Sequence, residues 1–247
     1  MPGPETVISG NTGHEAAARA RGRAGLYELL AAIFRAPLTA GNLRRLRCEE
    51  FLDALEGAGM SLDDEFRLGD EEALLDTLAV DFTQLFHGPR QHRVANESVQ
   101  TGDGEGTLDG DANLAVQAFY RSVGLCYDET EAELPDHISV ELAAMAALAR
   151  AEAEAWDAGE GLEVQRRVHH QAEFLAAHPG RWGIDLGHWV ALRARTPFNR
   201  EAGNLLAEFL QADAAELTRR VGGSARPENY LNVQLDGEHN HARTETV

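Results

Sequence analysis

The chain contains few of the residues that build redox and metal centres in many proteins. Only two of its 247 residues are cysteine, Cys48 and Cys126, and no CxxC pair occurs. Two cysteines cannot supply the four thiolates of a structural zinc or iron–sulfur site, and they do not form a disulfide framework. Such sparse cysteine is typical of a protein in a reducing compartment.

Basic residues and long apolar runs are also scarce. Lysine and arginine number 22 against 41 aspartates and glutamates, so the net charge is −19. This balance argues against nucleic acid or an anionic membrane as the partner, and it suits a partner with a basic segment, although an acidic surface also serves solubility in general. No apolar stretch approaches the roughly 20 residues of a membrane span, and the N-terminus lacks a secretory signal pattern. We therefore expect a cytoplasmic protein without stable membrane insertion.

The motifs of the common enzyme classes are missing as well. There is no GxxxxGK[ST] phosphate loop, no HExxH zinc helix and no GxSxG nucleophile turn. Residues 109–120 begin like a calcium loop, but Leu114 occupies the position of the turn glycine and Tyr120 that of the bidentate glutamate. We therefore expect no calcium site in this segment.

Two histidine-containing segments are weak candidates for metal binding. His169 and Glu173 are four residues apart and share a helix face, but no third ligand is evident. His239 and His241 lie close to the end of the chain, in a segment expected to be an unordered tail. We expect no metal and no cofactor.

Apolar residues at helical spacing are abundant. One stripe, typical of a buried helix face, consists of Leu26, Leu29, Leu30, Ile33 and Phe34. Similar stripes between capping residues and Gly or Pro predict helices over about 15–34, 40–57, 71–87, 112–123, 136–157, 162–177, 182–192 and 197–221. We expect an all-α fold, with a single domain of about eight or nine helices, because amphipathic helices must bury their apolar faces against one another.

The predicted helical domain covers residues 15–221. Residues 1–14 are expected to form a mobile N-terminal tail, and residues 222–247 a polar C-terminal tail. Residues 90–110 contain the acidic, glycine-rich run 102–106, which predicts a flexible internal loop.

The stretch from Leu134 to Leu142 is the centre of the functional prediction. Pro135 is tolerated in a first helical turn, and Asp136 can accept backbone N–H bonds at a helix start. Apolar residues follow at helical spacing, so Asp136 and His137 are expected at the mouth of a helix with a buried lower face. Taken alone, this pattern fits an ordinary helix cap as well as a functional carboxylate–imidazole pair.

Three short motifs resemble those of one known family. The run Leu134-Pro135-Asp136-His137 before a Glu-Leu helix resembles the Pro-Asp-His signature of the TorD/DmsD/NarJ family. The run Leu85-Phe86-His87-Gly88-Pro89 resembles the family's Leu-Phe-x-Gly-Pro segment, and Thr196-Pro197-Phe198 resembles its Thr/His-Pro-Phe-Tyr segment. The similarity extends from about Arg19 to Leu217.

The resemblance implies a TorD-like helical fold and a chaperone function. Members of that family are system-specific cytoplasmic chaperones that assist maturation of redox enzymes. They bind the apo catalytic subunit of a molybdopterin-guanine-dinucleotide oxidoreductase, often at its twin-arginine leader, and they prevent export before the cofactor is inserted. Relatives include monomers and homodimers, and the family performs no catalysis.

The same resemblance supplies the expected partner-binding residues. Asp136 is the leading acceptor for a leader arginine, and His137 is expected to orient it or to contact the peptide backbone. Glu97 and Glu141 are further candidates as acidic rim groups. The surrounding motif residues complete the predicted binding region: Leu134, Pro135, Phe86, Gly88 and Pro89. No residue is expected to be catalytic.

One departure from the family pattern bears on the choice of partner. Relatives commonly have an Ala-Pro-aromatic run before a Ser-Val pair, whereas residues 94–99 here read Val-Ala-Asn-Glu-Ser-Val. Without the aromatic, a chaperone that grips the mature part of the enzyme and ignores the leader is an alternative. A small hydrolase or nucleotide-dependent enzyme at Asp136 and His137 is another, but no nucleophile is identifiable beside the pair, which favours binding over catalysis.

Overall fold

The computed structural model describes residues 10–88, 92–102, 110–127 and 133–223. These residues form eleven α-helices and no strand, apart from one isolated antiparallel bridge between Asn96 and His137. The helices are α1 Gly10–Arg35, α2 Ala40–Leu46, α3 Glu49–Gly57, α4 Asp64–Leu68, α5 Glu71–Phe86, α6 Glu97–Thr101, α7 Asp111–Val123, α8 Ile138–Asp157, α9 Gly161–Ala177, α10 Pro179–Arg193 and α11 Pro197–Gly223. The prediction of an all-α fold is confirmed.

Several helix ends lie where local signals predicted them. The Thr39 hydroxyl accepts the Asn42 N–H at 3.2 Å and begins α2, and the Asp70 carboxylate accepts the Ala73 N–H at 2.9 Å and begins α5. Helix α11 begins at Pro197, whose missing N–H has no role in a first turn. Helix α1 begins at Gly10, earlier than the predicted start near Glu15.

The helix count exceeds the predicted eight or nine because of contacts between distant segments. The expected second helix is divided into α2 and α3 at Arg47 and Cys48. The Arg47 guanidinium there donates to the carbonyl oxygens of Phe66, at 2.6 Å, and of Gly69, at 2.9 Å. The short helices α4 and α6 lie in segments where no helix was predicted.

Helix α8 occupies the centre of the molecule. It packs along α1 on one side and against α9 on another, while α10 packs along α11. The side chains of Ile138, Leu142 and Met145 on α8 have no exposed surface, and their burial contributes a large share of the core. Glycines allow α10 and α11 to approach closely, because a Cβ on Gly187 would lie 2.7 Å from the Gly203 carbonyl oxygen.

A buried polar network joins four of the helices. The Arg23 guanidinium on α1 donates from Nε to Asp213 Oδ1 at 2.6 Å, from Nη1 to Glu152 Oε2 at 3.0 Å and from Nη2 to Gln171 Oε1 at 2.6 Å. Burial raises the pKa of Glu152, but hydrogen bonds from Arg220 and Gln171 and the charges of Arg220 and Arg23 outweigh burial and lower that pKa below its usual value. The network therefore holds an ionised carboxylate in the interior.

Most of the predicted tails and part of the predicted loop lie outside the described residues, whereas residues 10–14 belong to α1 and residues 222–223 to α11. The residues outside are 1–9 and 224–247 in the tails, and 90–91 and 103–109 in the loop. Across the part of the chain that the structure describes, no helix has both the length and the apolar character needed to cross a membrane.

Candidate functional site

The run from Leu134 to His137 forms a tight turn that leads into α8. The His137 N–H donates to the Leu134 carbonyl oxygen at 3.0 Å. On the other side, the Glu97 N–H donates to the Asp136 carbonyl oxygen at 2.9 Å, and the Ile138 N–H donates to that of Ala95 at 2.8 Å. These two bonds hold the segment that opens α6 against the start of α8.

Asp136 is completely buried in this turn. Its Oδ1 accepts from Asn96 Nδ2 at 3.0 Å, and its Oδ2 accepts the Ser98 N–H at 3.0 Å. Asp136 therefore does accept a backbone amide at a helix start, but the helix is α6 and not the α8 that follows it in sequence. With no surface exposed, the carboxylate does not fit the expected role of direct acceptor for a leader arginine.

His137 caps α8. Its Nδ1 accepts the Ser139 N–H at 3.3 Å, and its Nε2 lies 3.7 Å from Glu133 Oε2. Burial lowers the pKa of His137, although the nearby Glu133 and Asp136 carboxylates act in the opposite direction. The lowered pKa favours the neutral ring, and its Nδ1 also lies 2.8 Å from the Ser139 hydroxyl oxygen.

A cavity of about 320 Å³, which we call the histidine cleft, opens beside His137. It lies between the ends of α1 and α5 and the segments around residues 94 and 133. Its lining residues are Phe34, Arg35, Phe82, Phe86, His87, His92, Val94, Ala95, Asn96, Glu133 and His137. Three phenylalanines form an apolar surface, while histidines, Arg35 and Glu133 supply polar groups.

A second cavity of about 250 Å³, which we call the alanine cavity, borders the first half of α8. Alanines on α8 leave room for side chains from outside. The lining residues are Arg35, Tyr120, Leu125, Cys126, Tyr127, Ser139, Val140, Ala143, Ala144 and Ala147. Arg35 lines both cavities, so both border the C-terminal end of α1.

The two predicted rim glutamates are buried below this surface. Glu97 is 1% exposed and Glu141 is unexposed. His178 Nδ1 lies 2.8 Å from Glu97 Oε2, and Trp182 Nε1 donates to Glu141 Oε2 at 3.1 Å. Burial, together with the charge of Glu97, raises the pKa of Glu141 well above its usual value. Neither carboxylate lies at a rim.

The sequence around this site matches a known protein family. The profile of the nitrate reductase delta subunit family matches residues 45–186, more than half of the chain. The chain belongs to the nitrate reductase delta subunit family. No curated protein sequence matches the chain.

Membership of the delta subunit family confirms the resemblance to TorD/DmsD/NarJ proteins. The family consists of chaperones for molybdoenzymes, so the protein is a chaperone with a molybdoenzyme catalytic subunit as its partner. The protein is not a catalytic enzyme, so the alternative of a hydrolase or nucleotide-dependent enzyme at Asp136 and His137 is wrong. The family match includes the Leu85–Pro89 and Leu134–His137 motifs, whereas Thr196-Pro197-Phe198 lies beyond it.

In this member of the delta subunit family, some of the residues predicted to bind the partner lie close together, and others do not. Phe86 lines the histidine cleft together with His137, Leu134 is half-buried, and Pro135 and Gly88 are buried. Pro89 lies outside the described residues. Of the predicted set, Phe86 and His137 therefore line the histidine cleft.

Sequence reasoning missed most of the cleft. His87 occupies the variable position of the Leu-Phe-x-Gly-Pro motif, and Glu133 directly precedes Leu134, so the spacing to a recognised motif offered a signal for both. Phe34 and Arg35 end a helix about a hundred residues away in sequence and offered none. Only the packing of α1 along α8 brings them to the site.

We expect Asp136→Ala to lower the free energy of unfolding by about 2–3 kcal/mol, because two buried donors lose a charged acceptor. Hydrogen exchange at the Ser98 amide should become faster, since that N–H donates to Asp136. As a matched control, Asp63→Ala removes an exposed cap that accepts the Phe66 N–H at 2.8 Å, and should cost about 1 kcal/mol. Equal losses in the two variants would contradict the positioning role of Asp136.

Proposed function

We propose that the protein binds the twin-arginine leader of the catalytic subunit of a molybdopterin-guanine-dinucleotide oxidoreductase in the cytoplasm, before export. The leader would lie across the histidine cleft and the alanine cavity. The observation that carries the proposal is that these two cavities share Arg35 in their linings, and that the histidine cleft is also lined by His137 of the Pro-Asp-His turn. Two adjacent pockets suit an extended segment that places successive side chains in each.

The alanine cavity suits the apolar part of a leader. Leu125, Val140 and Ala144 provide an apolar lining, and Ala143 leaves space at the exposed edge. Burial of apolar side chains in such a cavity is favourable by roughly 25 cal/mol per Å² removed from water. Apolar contacts are not directional, so such a cavity can bind leader segments of varied sequence.

For the leader arginine we propose Glu133 as the acceptor. Its side chain is 32% exposed and faces the histidine cleft, whereas Asp136 has no exposed surface. A charge-assisted bond to an arginine there is worth roughly 1.5–3 kcal/mol where it is partly desolvated. Asp136 then acts as a positioning residue, through its bonds to Asn96, which lines the cleft, and to the Ser98 N–H in α6.

One observation favours a second candidate function. Arg35 and three histidines contribute to the histidine cleft, so it is less acidic than a site for two arginines should be. A segment from the mature part of the catalytic subunit, with a carboxylate or carbonyl to meet Arg35, would suit this lining. The protein would then grip the mature enzyme without leader binding.

The location and the identity of the ligand can be tested together. A synthetic peptide with the leader of the same organism's molybdoenzyme catalytic subunit should bind the wild-type chain. Ala143→Trp should weaken binding at least about tenfold, or about 1.4 kcal/mol, because the indole fills the alanine cavity. Isothermal titration calorimetry measures both affinities. Ala143 is exposed, so the substitution does not disturb the core.

Two controls separate the outcomes. Ala215→Trp places the same side chain at an exposed position of α11 that lines neither cavity, and it should leave the affinity unchanged. A catalytic subunit without its leader should bind far more weakly than the full-length apo subunit. If the shortened subunit binds as tightly and the peptide does not bind, the mature part is the ligand and the leader proposal is wrong.

A further inference from the structure

Three side chains with metal-binding atoms converge beneath the histidine cleft. Glu97 comes from α6, Glu141 from α8 and His178 from the junction of α9 and α10. One ligand atom of each lies within 4.8 Å of the others, and all three residues are buried. Sequence reasoning expected no metal, because the three ligands come from separate segments and show no spacing pattern along the chain.

The charges in this cluster are incompletely compensated by the described residues. Glu97 Oε2 lies 2.8 Å from His178 Nδ1, and its Oε1 lies 3.9 Å from Nη1 of Arg181, whose side chain is 58% exposed. Glu141 accepts the Trp182 N–H on Oε2 at 3.1 Å. Its Oε1 is buried and has no hydrogen-bond partner among the described residues.

An unpartnered carboxylate oxygen in the interior is costly. One carboxylate oxygen of Glu141 lies within 4.8 Å of the ligand atoms of Glu97 and His178, so the carboxylate is close to both. A bound cation would supply the missing partner for this carboxylate. It would also offset the two negative charges that Glu97 and Glu141 carry when both are ionised.

We propose that Glu97, Glu141 and His178 bind one divalent transition-metal cation, with Zn²⁺ as the best match. Zinc accepts imidazole nitrogen and carboxylate oxygen, and three protein ligands leave one position for water. With two ionised carboxylates and a neutral imidazole, the metal makes the cluster neutral. Trp182 on Glu141, and the Phe174 ring 4.9 Å from that of His178, orient the ligands from the outer shell.

The consequence of this site is structural. Glu97 begins α6, and its backbone N–H donates to the Asp136 carbonyl oxygen in the Pro-Asp-His turn. A cation would tie α6 to α8 and to the start of α10, and so stabilise one wall of the histidine cleft. This inference does not depend on which segment of the catalytic subunit is bound.

The test uses the full chain with His239→Ala and His241→Ala, so that the histidines near its end do not contribute. After EDTA treatment and dialysis, the protein should bind about one equivalent of Zn²⁺ by calorimetry and retain it through gel filtration. The melting temperature should rise with Zn²⁺ and stay unchanged with Mg²⁺. His178→Ala should abolish both effects, whereas His188→Gln, an exposed histidine on α10, should keep them.

Two further measurements decide the result even if a variant folds poorly. Bound Co²⁺ should give visible ligand-field absorption in the chain with intact ligands, and Zn²⁺ should displace it. Glu141→Gln keeps the shape of the side chain but removes its charge, and it should lose zinc. If the parent chain binds no zinc, or if Glu141→Gln retains it, the proposal is wrong and Glu141 is a buried carboxylic acid.

Discussion

Replacing Arg23 with alanine should lower the free energy of unfolding by about 3–5 kcal/mol. The Arg23 side chain is 14% exposed and bonds to Asp213 and Glu152, which are 3% and 1% exposed. Among the residues that the structure describes, removal of the cation leaves Asp213 with one hydrogen-bond donor, the Tyr27 hydroxyl at 2.7 Å. Leaving a buried carboxylate without its cation lowers the free energy of unfolding far more than the loss of an exposed ion pair does.

The matched control is Arg21→Ala, two residues earlier on the same helix. Arg21 pairs with Asp157, and the two side chains are 50% and 45% exposed. Solvent screens such a pair, so its loss should cost less than about 1 kcal/mol. Urea denaturation followed by circular dichroism measures both variants. A loss of under 1.5 kcal/mol for Arg23→Ala, against the ~3–5 expected for a buried pair, would show that the network contributes little.

The same network predicts a dependence on acid. Because the folded-state pKa of Glu152 is lowered, its ionisation stabilises the fold above its ordinary pKa near 4.5. That stability is lost as the pH falls through the lower folded-state value. The difference in stability between wild type and Arg23→Ala should therefore be full at pH 7 and shrink in acid below that ordinary pKa.

Replacing Asp81 with alanine should cost about 3–4 kcal/mol. This carboxylate on α5 is 3% exposed and accepts from the start of α11. Its donors are the N–H groups of Arg195 and Thr196, the Thr196 hydroxyl and the Asn199 amide, at 2.7–3.1 Å. All of them lose a charged acceptor at once. The thermal unfolding midpoint and the urea midpoint should both fall.

Asp70→Ala is the matched control for Asp81. Asp70 also caps a helix, but it is exposed and accepts only the Ala73 N–H among the bonds described, so its loss should cost about 1 kcal/mol. Phe82 follows Asp81 on α5 and lines the histidine cleft. Asp81→Ala should loosen α5 and therefore also weaken leader binding. Asp70→Ala should leave the affinity for the leader unchanged. A similar loss of stability in both variants would contradict the special role of Asp81.

Much of the fold was predictable because helix ends carry local signals. Thr39 and Asp70 cap helices within three residues of themselves, and Pro197 opens α11. The division between α2 and α3 was not predictable. Arg47 there bonds to the carbonyl oxygens of Phe66 and Gly69, which are too distant in sequence for periodicity to reveal.

The candidate site was predictable in position but not in detail. The motif around Asp136 and His137 does begin α8 and does border a cleft. The sequence could not show that Asp136 turns inward, because its partners Asn96 and Ser98 lie about forty residues earlier. For the same reason Glu97 was expected at a rim, although it is buried against His178, 81 residues later.

Periodicity, caps and short motifs are properties of neighbouring residues, so they were enough to specify an all-α chaperone and the turn at its centre. Exposure is a property of the packed molecule. Whether a carboxylate meets a partner, caps a helix or joins a buried cluster depends on which distant segments pack over it. Asp136, Glu97 and Glu141 are chemically similar acids, and all three are buried where α10 packs against α6 and α8 and the start of α6 is bonded to the Pro-Asp-His turn.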